Sequence, residues 1–373
     1  MNEAGIYIHI PFCDHKCIYC DFYSIIKFDS VKAFFSSIKE EIMHYSEKFG
    51  NEREYKTIFF GGGTPSLSEP SDLADLINLI KQNFNLVPDA EITMETNPGT
   101  VDLSKLCNFK EAGINRVSIG IQSFDEADLK FLTRIHDKNG AIHTVFNAVE
   151  AGFENISIDL IFNLPGQTPE KWGRNLEIAG TLPVNHISAY SLILERGTIL
   201  NKMVLNGEVK IQDEDFDAGL YEQTMQFFRN RGFKQYEVSN YCMPGYECKH
   251  NQIYWDCKEY LGFGPSAHSF YNGKRWWNIS SLSGYLRAIQ KNGGIAIAGE
   301  EVLTDEQFKE EYIMLALRSR GIERSKIEGL IDEKQALIDR LFNSGHLTPE
   351  GEFIKLTEKG FPVCDEIVTE LIS

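Results

Sequence analysis

The feature that most constrains this chain is a trio of cysteines that directly follows a short apolar run near the amino terminus. Cys13, Cys17 and Cys20 stand in the spacing C-x3-C-x2-C, within the stretch from Ile6 to Phe22. A cubane cluster that only carries electrons is held by four cysteine thiolates. Three thiolates on one short loop can hold three corners of a cubane and leave the fourth iron open to another ligand. The spacing therefore predicts a 4Fe-4S cluster with one exchangeable position.

Two other uses of these cysteines fit the spacing less well. A structural zinc ion takes four tetrahedral ligands, usually as two short pairs, and the nearby His15 is poorly placed between two of the cysteines to be the fourth. Disulfide bonds would leave one of the three cysteines unpaired and would need an oxidising compartment. The first residues carry no basic segment and no long apolar run. We therefore expect a cytoplasmic protein in which these thiols serve as ligands.

The composition bounds the class of protein and of partner. The chain has 373 residues, of which 42% are hydrophobic and 24% charged, as in ordinary soluble globular proteins. This length suffices for one large domain and one small one. The formal net charge of −17 argues against a nucleic-acid partner, because such binding depends on neutralising phosphates. No stretch approaches the length needed to cross a bilayer.

Short apolar runs alternate with longer amphipathic stretches as far as about residue 240. This alternation predicts a parallel sheet with crossover helices, and six or more such units indicate a complete or partial (β/α) barrel. A doubly wound open sheet is the alternative. The predicted strands are Gly5–Ile10, Lys56–Phe60, Glu91–Glu95, Arg116–Ile121, Asn155–Leu160 and His186–Ser191. The predicted helices lie near residues 30–49, 70–83, 103–112, 125–151, 169–181 and 213–231.

The remainder of the chain reads as two further parts. Residues 241–300 are rich in aromatics, glycine and polar groups without a clean period, which predicts a connecting region that closes the barrel. Residues 301–373 read as helices with a short hairpin at His346–Leu356, which is typical of a winged-helix module. An excess of acidic residues in this last part argues against DNA binding. We therefore predict a barrel domain at 1–240 and a small helical domain at 301–373.

Several polar residues lie at the ends of the predicted strands or inside them, and Arg134 lies in the helical segment that follows the fourth strand. A glycine run, Gly61–Gly63, follows the second strand, and glycine lets the backbone approach a ligand closely. An unpaired carboxylate inside an apolar strand, such as Asp159, is costly. The chemistry of a (β/α) barrel lies at the carboxyl ends of its strands. We expect a ring of polar residues at this end of the barrel: Glu95, Gln122, Arg134 and Asp159.

Four stretches together resemble a known family. The cysteine loop with its preceding IYIHIPF, and the stretches GGGTPS, GIQSF and LPGQTPE, are similar to radical S-adenosylmethionine (SAM) proteins of the HemN/HemW group. This group includes oxygen-independent coproporphyrinogen III oxidase and HemW-like heme chaperones. The resemblance implies a partial TIM-like (β/α)6 radical SAM barrel with a small C-terminal helical, winged-helix-like domain. It implies that Cys13, Cys17 and Cys20 hold the 4Fe-4S cluster. It places the following residues around SAM: Tyr7, Tyr19, Gly62, Gly63, Thr64, Glu95, Gln122, Arg134 and Asp159.

Three features favour the chaperone branch of this group over the oxidase branch. The oxidase has a fourth cysteine two places after the third, where this chain has Phe22, and it has an extension ahead of the cluster loop. The stretch from His250 to Trp255 matches the HNxxYW pattern of HemW-like chaperones. Neutral imidazole is a good axial ligand of heme iron, which makes His250 the candidate heme ligand and His268 a second one.

The resemblance implies heme as a ligand and an acceptor protein that receives it, in the cytoplasm or at a membrane. An electron donor is implied if SAM is cleaved, and the chain is expected to be a monomer or a homodimer. No catalytic residue is assigned. The alternative is a coproporphyrinogen dehydrogenase-type oxidoreductase that decarboxylates two propionates through an adenosyl radical. A radical SAM enzyme acting on a different substrate is a third hypothesis.

Overall fold

The computed structural model describes residues 2–373, with the side chains at positions 328 and 330–332 left aside. The strands are β1 (Glu3–Ile10), β2 (Glu54–Gly62), β3 (Leu86–Thr96), β4 (Arg116–Gln122), β5 (Asn155–Phe162), β6 (His186–Ser191), β7 (Lys234–Glu237), β8 (Asn240–Cys242), β9 (Glu259–Phe263), β10 (His268–Tyr271), β11 (Lys274–Asn278), β12 (Ile297–Val302), β13 (Ile322–Glu323), β14 (Leu347–Glu350) and β15 (Phe353–Leu356).

The helices connect these strands. They are α1 (Val31–Phe49), α2 (Pro70–Asn83), α3 (Leu103–Glu111), α4 (Glu126–Phe131), α5 (Lys138–Glu150), α6 (Pro169–Ala179), α7 (Ile199–Leu205), α8 (Glu214–Arg229), α9 (Lys249–Trp255), α10 (Leu282–Asn292), α11 (Asp305–Leu317), α12 (Glu328–Asn343) and α13 (Cys364–Ile372). Among residues 2–373, no helix combines the length and apolar character that a membrane span requires.

The first six strands form the parallel barrel that the alternation predicts. They pair in chain order, from β1 beside β2 to β5 beside β6, with all five pairings parallel. Every residue of β4 except the last is buried, as in a strand covered on both faces. The carboxyl ends of these strands meet at one end of the barrel. The α/β class and the partial barrel are confirmed.

One predicted helix is divided in two, and the division matters for the site. The stretch predicted as 125–151 contains α4 and α5, separated by a short connection. Thr133 in this connection has a φ of 57°, which is incompatible with a continuous right-handed helix. Asp137 then caps α5, because its side chain accepts a hydrogen bond from the backbone N–H of Gly140 at 2.7 Å. The connection places Arg134 beside the ends of the strands.

The aromatic-rich region at 241–300 is more than a connection. Its strands extend the barrel sheet, with β9 parallel to β1 and β10, β11 and β12 following antiparallel. Trp276 of β11 packs against Tyr45 and Phe49 of α1, which adds aromatic surface to the main core. On the other edge, β8 pairs antiparallel with β6. The weak period of this region reflects short antiparallel strands with both faces partly covered.

The C-terminal part has a hydrophobic core of its own. Helices α11 and α13 pack against a three-stranded sheet in the order β13-β15-β14. Thr304 and Gln307 form a reciprocal capping box at the start of α11, which satisfies two backbone N–H groups. The hairpin of β14 and β15 is the predicted wing. The helical, winged-helix-like character of this part is confirmed, and the exact domain boundaries stay a prediction.

Candidate functional site

A cavity of about 430 Å³ opens at the carboxyl ends of the barrel strands. This volume lies within the range of roughly 300–1,000 Å³ that is usual for small-molecule sites. Most of the predicted site residues line it. They are Cys13, Cys17, Tyr19, Cys20, Gly62, Gly63, Thr64, Glu95, Gln122, Arg134 and Asp159. The structure thus brings together residues that lie almost 150 positions apart in the sequence.

Backbone hydrogen bonds fix the cysteine loop at both of its ends. The N–H of Cys13 donates to the carbonyl of Ile25 at 2.9 Å, and the N–H of Ile25 donates to the carbonyl of Pro11 at 2.8 Å. The imidazole of His9 lies 2.9 Å from the carbonyl of Tyr23. The loop is therefore a closed turn over the cavity, and its conformation is set by the protein itself.

The three thiols of this loop are free and partly accessible. The Cys13 thiol contacts the carbonyl of His15 at 2.8 Å and the hydroxyl of Thr64 at 3.2 Å. Burial raises the pKa of the Cys20 thiol. Among the described residues, no three His, Cys, Asp or Glu side chains converge on a point that could hold a single metal ion. A cubane spreads its cysteine ligands over three irons, so this donor set fits a cluster better than a lone zinc ion.

The glycine run at the end of β2 is hydrogen-bonded through its backbone to the segment that leads into the cysteine loop. The N–H of Gly63 donates to the carbonyl of Ile10 at 2.8 Å, and that of Thr64 donates to the carbonyl of Phe12 at 2.7 Å. Gly62 has a φ of +113°, and a Cβ there would lie 2.7 Å from the His9 imidazole. Only glycine fits this position without strain or a clash. The run therefore lines the cavity with backbone.

Two half-buried carboxyl groups give the cavity a preference for cations. Burial, and next the charge of Asp159, raise the pKa of Glu95 to about 7, although its side chain accepts a hydrogen bond from the N–H of Gly62 at 3.1 Å. Burial also raises the pKa of Asp159, which accepts a hydrogen bond from Ser118 at 3.1 Å. A bound cation would relieve both the repulsion and the desolvation. An ammonium or sulfonium group is a suitable ligand for this wall.

Arg134 supplies the opposite charge and is held in place by a residue that the sequence reasoning missed. Its Nη2 donates to Oδ1 of Asn97 and to the carbonyl of Gly120, both at 2.7 Å, and its Nη1 lies 3.7 Å from the Cys17 sulfur. The amide of Asn97 also donates to the Thr64 hydroxyl at 3.0 Å. Asn97 therefore joins the arginine to the cysteine loop. A carboxylate is the natural ligand of a guanidinium group.

Other cavity residues also lay outside the sequence prediction. Ser118 and Tyr190 line the cavity from β4 and β6. The pattern that predicted Glu95, a polar side chain on an apolar barrel strand, could also have predicted these two residues. Each lies on a strand whose carboxyl end faces the cavity. Asn97 carries a further signal, since it opens an Asn-Pro-Gly turn directly after β3.

Tyr7 was predicted to line the SAM site, and in the structure its contacts are to residues of β1, β2 and α9. Its hydroxyl is 3.1 Å from Nδ1 of His9, and its ring stacks on Phe59 and on His250. It is absent from the described residues that line the cavity. Burial raises the pKa of its hydroxyl. The role of Tyr7 toward a ligand therefore stays a prediction, and the contacts that the structure shows for its ring and hydroxyl are to other residues of the protein.

His250 is enclosed inside the barrel, on the side opposite the cavity mouth. It is 1% exposed, its Nδ1 lies 2.7 Å from the Thr57 hydroxyl, and its Nε2 lies 2.9 Å from the Tyr254 hydroxyl. Burial lowers the pKa of the imidazole to about 3, so it is neutral. Since both ring nitrogens have partners within the protein, neither is available to heme iron in this conformation. The structure gives the predicted heme contact at His250 no support.

His268, the second candidate, lies at a different place. It is exposed at the start of β10, and its ring stacks on Trp277 at a centroid distance of 5.8 Å. It is not among the described residues that line the cavity. The structure therefore separates both candidate histidines from the site that the cysteines define.

Comparison with known proteins matches these findings. Residues 7–178 match the model of the radical SAM superfamily. The heme chaperone HemW of Bacillus subtilis is 37% identical over 86% of this chain and 85% of its own. The heme chaperone HemW of Lactococcus lactis is 34% identical over 98% of this chain and 96% of its own.

Among solved structures, coproporphyrinogen III oxidase (HemN) from Escherichia coli superposes with a TM-score of 0.84 and 23% identity. The superposition covers all of this chain and 90% of that protein, and at this identity it establishes the shared fold. Radical SAM proteins use a 4Fe-4S cluster together with SAM. The cysteine loop fits the cluster, and a cavity with both carboxyl groups and a guanidinium group fits SAM. The chain belongs to the HemW family of radical SAM proteins.

Proposed function

We propose that this protein binds heme and passes it to an acceptor protein, and that a SAM-bound 4Fe-4S cluster controls the transfer. The observation that carries this proposal is the likeness to heme chaperones, which extends over nearly the whole chain, including the C-terminal part. The likeness to the oxidase is one of fold.

In this proposal each part of the site has a defined task. Cys13, Cys17 and Cys20 hold the cluster. Arg134, positioned by Asn97, binds the carboxylate of SAM, and Glu95 and Asp159 attract its positive groups. Gly62, Gly63, Thr64, Tyr19 and Gln122 shape the wall around it. When bound, SAM would supply a ligand for the open iron or, with an electron donor, the source of a radical. The residues named above would orient it.

The environment of Phe22 supports the carrier over the oxidase. The side chain is 61% exposed at the lip of the cavity, at the place where the oxidase pattern has a fourth cysteine. An exposed phenylalanine offers apolar surface for a ligand and cannot coordinate iron. A cytoplasmic location, a heme acceptor free or at a membrane, and a monomeric or dimeric state remain parts of this proposal.

The test is an anaerobic hemin titration of protein reconstituted with iron and sulfide, followed by the Soret absorbance. We expect saturable binding near one heme per chain. Heme is then offered to apomyoglobin as a scavenger, and the rate of transfer is compared with and without SAM. A variant with all three loop cysteines changed to serine is expected to bind heme with similar affinity but to lose the response of the transfer rate to SAM.

The oxidase alternative is tested on the same preparation. Coproporphyrinogen III, SAM and a low-potential reductant are added, and the products are separated by chromatography. The chaperone proposal predicts no conversion to protoporphyrinogen. Absence of saturable heme binding, or catalytic decarboxylation, would overturn it.

A further inference from the structure

We infer that heme binds across the mouth of the cavity, on an apolar rim formed by Phe22, Ile135 and Ile193. This inference rests on the proposed function and specifies where on the protein heme binds. The three side chains come from three separate segments: the cysteine loop, the connection between α4 and α5, and the segment after β6. Phe22 and Ile193 line the main cavity, and Ile135 lines the small pocket beside Cys17 and Arg134.

The exposure of these side chains is unusual within the molecule. Among the described residues, six large apolar side chains are more than 60% exposed. Three of them, Phe22, Ile135 and Ile193, line the cavity or the small pocket beside it. Scattered single apolar residues are normal on a surface, whereas a concentration of them marks a binding site.

The cavity walls themselves suit a different ligand. They carry carboxylates, a guanidinium group and amides, which match the small charged ligand SAM. With His250 enclosed, the rim offers exposed apolar surface next to the cluster loop. A porphyrin is flat and apolar on both faces, and a ring of separate apolar side chains around a concave opening can cover one face of it.

The charge around the mouth also fits heme. Segments 14–27 and 193–205 contain four cations, Lys16, Lys27, Arg196 and Lys202, and three carboxylates. The chain as a whole carries a net charge of −17. These segments are therefore slightly basic within a strongly acidic protein, which favours a ligand with two propionate groups. The same segments would attract a second protein with a strongly acidic surface less, because the rest of this acidic chain would repel it.

Hydrogen bonds join the three rim segments through the cysteine loop. The N–H of Ile18 donates to the Thr133 hydroxyl at 3.3 Å, and the carbonyl of Ile18 accepts from the N–H of Leu200 at 2.9 Å. The ammonium group of Lys16 donates to the carbonyl of Phe22 and, at 3.0 Å, to the hydroxyl of Ser24. The rim segments are thus tied to the cysteine loop by hydrogen bonds.

The experiment compares hemin titrations of wild type, Phe22→Ser, Ile193→Ser and the double variant. Phe146→Ser is the matched control, because Phe146 is 52% exposed on α5 and lines no part of the cavity. We expect each rim substitution to raise the Kd for heme roughly tenfold, from the lost apolar contact, and Phe146→Ser to leave it unchanged. Iron and sulfide content is measured for every variant, and Ile193→Ser tests the rim at a distance in sequence from the cysteines.

Hydrogen exchange of the wild-type protein supplies a second readout. Heme is expected to slow exchange in residues 18–28 and 190–200 and to leave residues 249–257 unchanged. If the wild type binds heme while both rim variants bind it equally well, the rim inference fails and the chaperone proposal stands. Equal heme affinity with slowed transfer to the acceptor would make the rim a protein-docking surface instead, which also overturns the inference. If the wild type binds no heme, the proposed function itself fails.

Discussion

Nε2 of His250 lies 2.9 Å from the hydroxyl of Tyr254, so two residues of the HNxxYW stretch are hydrogen-bonded to each other. The other ring nitrogen is bonded to Thr57 of β2. The backbone N–H of His250 donates to Glu91 of β3 at 3.1 Å. In the folded chain, the stretch that pointed to heme in the sequence is a hydrogen-bonded segment that packs inside the barrel, on the side opposite the cavity mouth.

This arrangement predicts that His250→Ala damages the fold before it affects heme. The substitution leaves the Thr57 and Tyr254 hydroxyls without their partner in a buried place, which costs about 1–3 kcal/mol for each group. We expect the urea midpoint to fall strongly and the heme Kd of the folded fraction to stay within about twofold of wild type. His143→Ala, at an exposed position on α5, is the control and should change stability by less than about 0.5 kcal/mol. A heme affinity lost without a loss of stability would contradict this prediction.

Glu95 is predicted to trade stability for ligand binding. Its folded-state pKa of about 7 lies above the ordinary value of 4.5, so the folded protein binds more protons between these pH values. The stability that this group contributes is complete below about pH 4.5 and is lost as the pH rises through 7. We therefore expect Glu95→Gln to raise the unfolding free energy of the ligand-free protein by about 1–2 kcal/mol at pH 8, and much less at pH 5.

The same substitution is expected to weaken SAM binding at least tenfold, because a charged hydrogen-bond partner of the ligand is removed. Glu237→Gln is the matched control. Glu237 is a buried carboxyl group whose pKa, like that of Glu95, is raised to about 7, mainly by burial. It lies outside the cavity. It should show the same pH-dependent gain in stability with no change in SAM affinity. Denaturation at pH 5 and pH 8 and SAM titration by calorimetry measure the two effects.

Asn97 is predicted to be a positioning residue for Arg134. Asn97→Ala removes the bonds to Arg134 and to Thr64 and should weaken SAM binding about tenfold. Asn97→Asp keeps an acceptor for Arg134 but loses the donor to Thr64, so it should recover most of the affinity. The electron paramagnetic resonance signal of the reduced cluster with SAM is the readout that separates misorientation from unfolding. Asn139→Ala, on an exposed position of α5, serves as the control.

Gly62 and Gly99 form a matched pair for the glycine run. Both have a positive φ, +113° and +88°, but a Cβ at Gly62 would lie 2.7 Å from His9, whereas none of the neighbouring atoms comes within 4 Å of a Cβ at Gly99. Gly99→Ala should cost about 1–2 kcal/mol from the backbone conformation alone. Gly62→Ala should cost more and should also lower the iron content, because His9 anchors the cysteine loop. Equal effects of the two substitutions on stability and on iron content would refute this reading.

The sequence by itself determined the parts of this protein that depend on local pattern. The cysteine spacing, the six strands with their helices and the polar residues at strand ends were all readable, because each follows from residues close together along the chain. The carboxyl ends of parallel strands must meet, so the convergence of Glu95, Gln122 and Asp159 on one cavity could be expected from topology alone.

Only the tertiary structure decided which of these residues face a ligand and which support them. His250 and its partner Thr57 are 193 positions apart, so nothing near either residue shows that they are bonded in the barrel. The same holds for Asn97 beside Arg134 and for the apolar rim, whose three members come from three separate loops. Hydrogen bonding and burial depend on neighbours that are distant in sequence, and these neighbours placed the histidine in the protein's interior and left the rim side chains exposed.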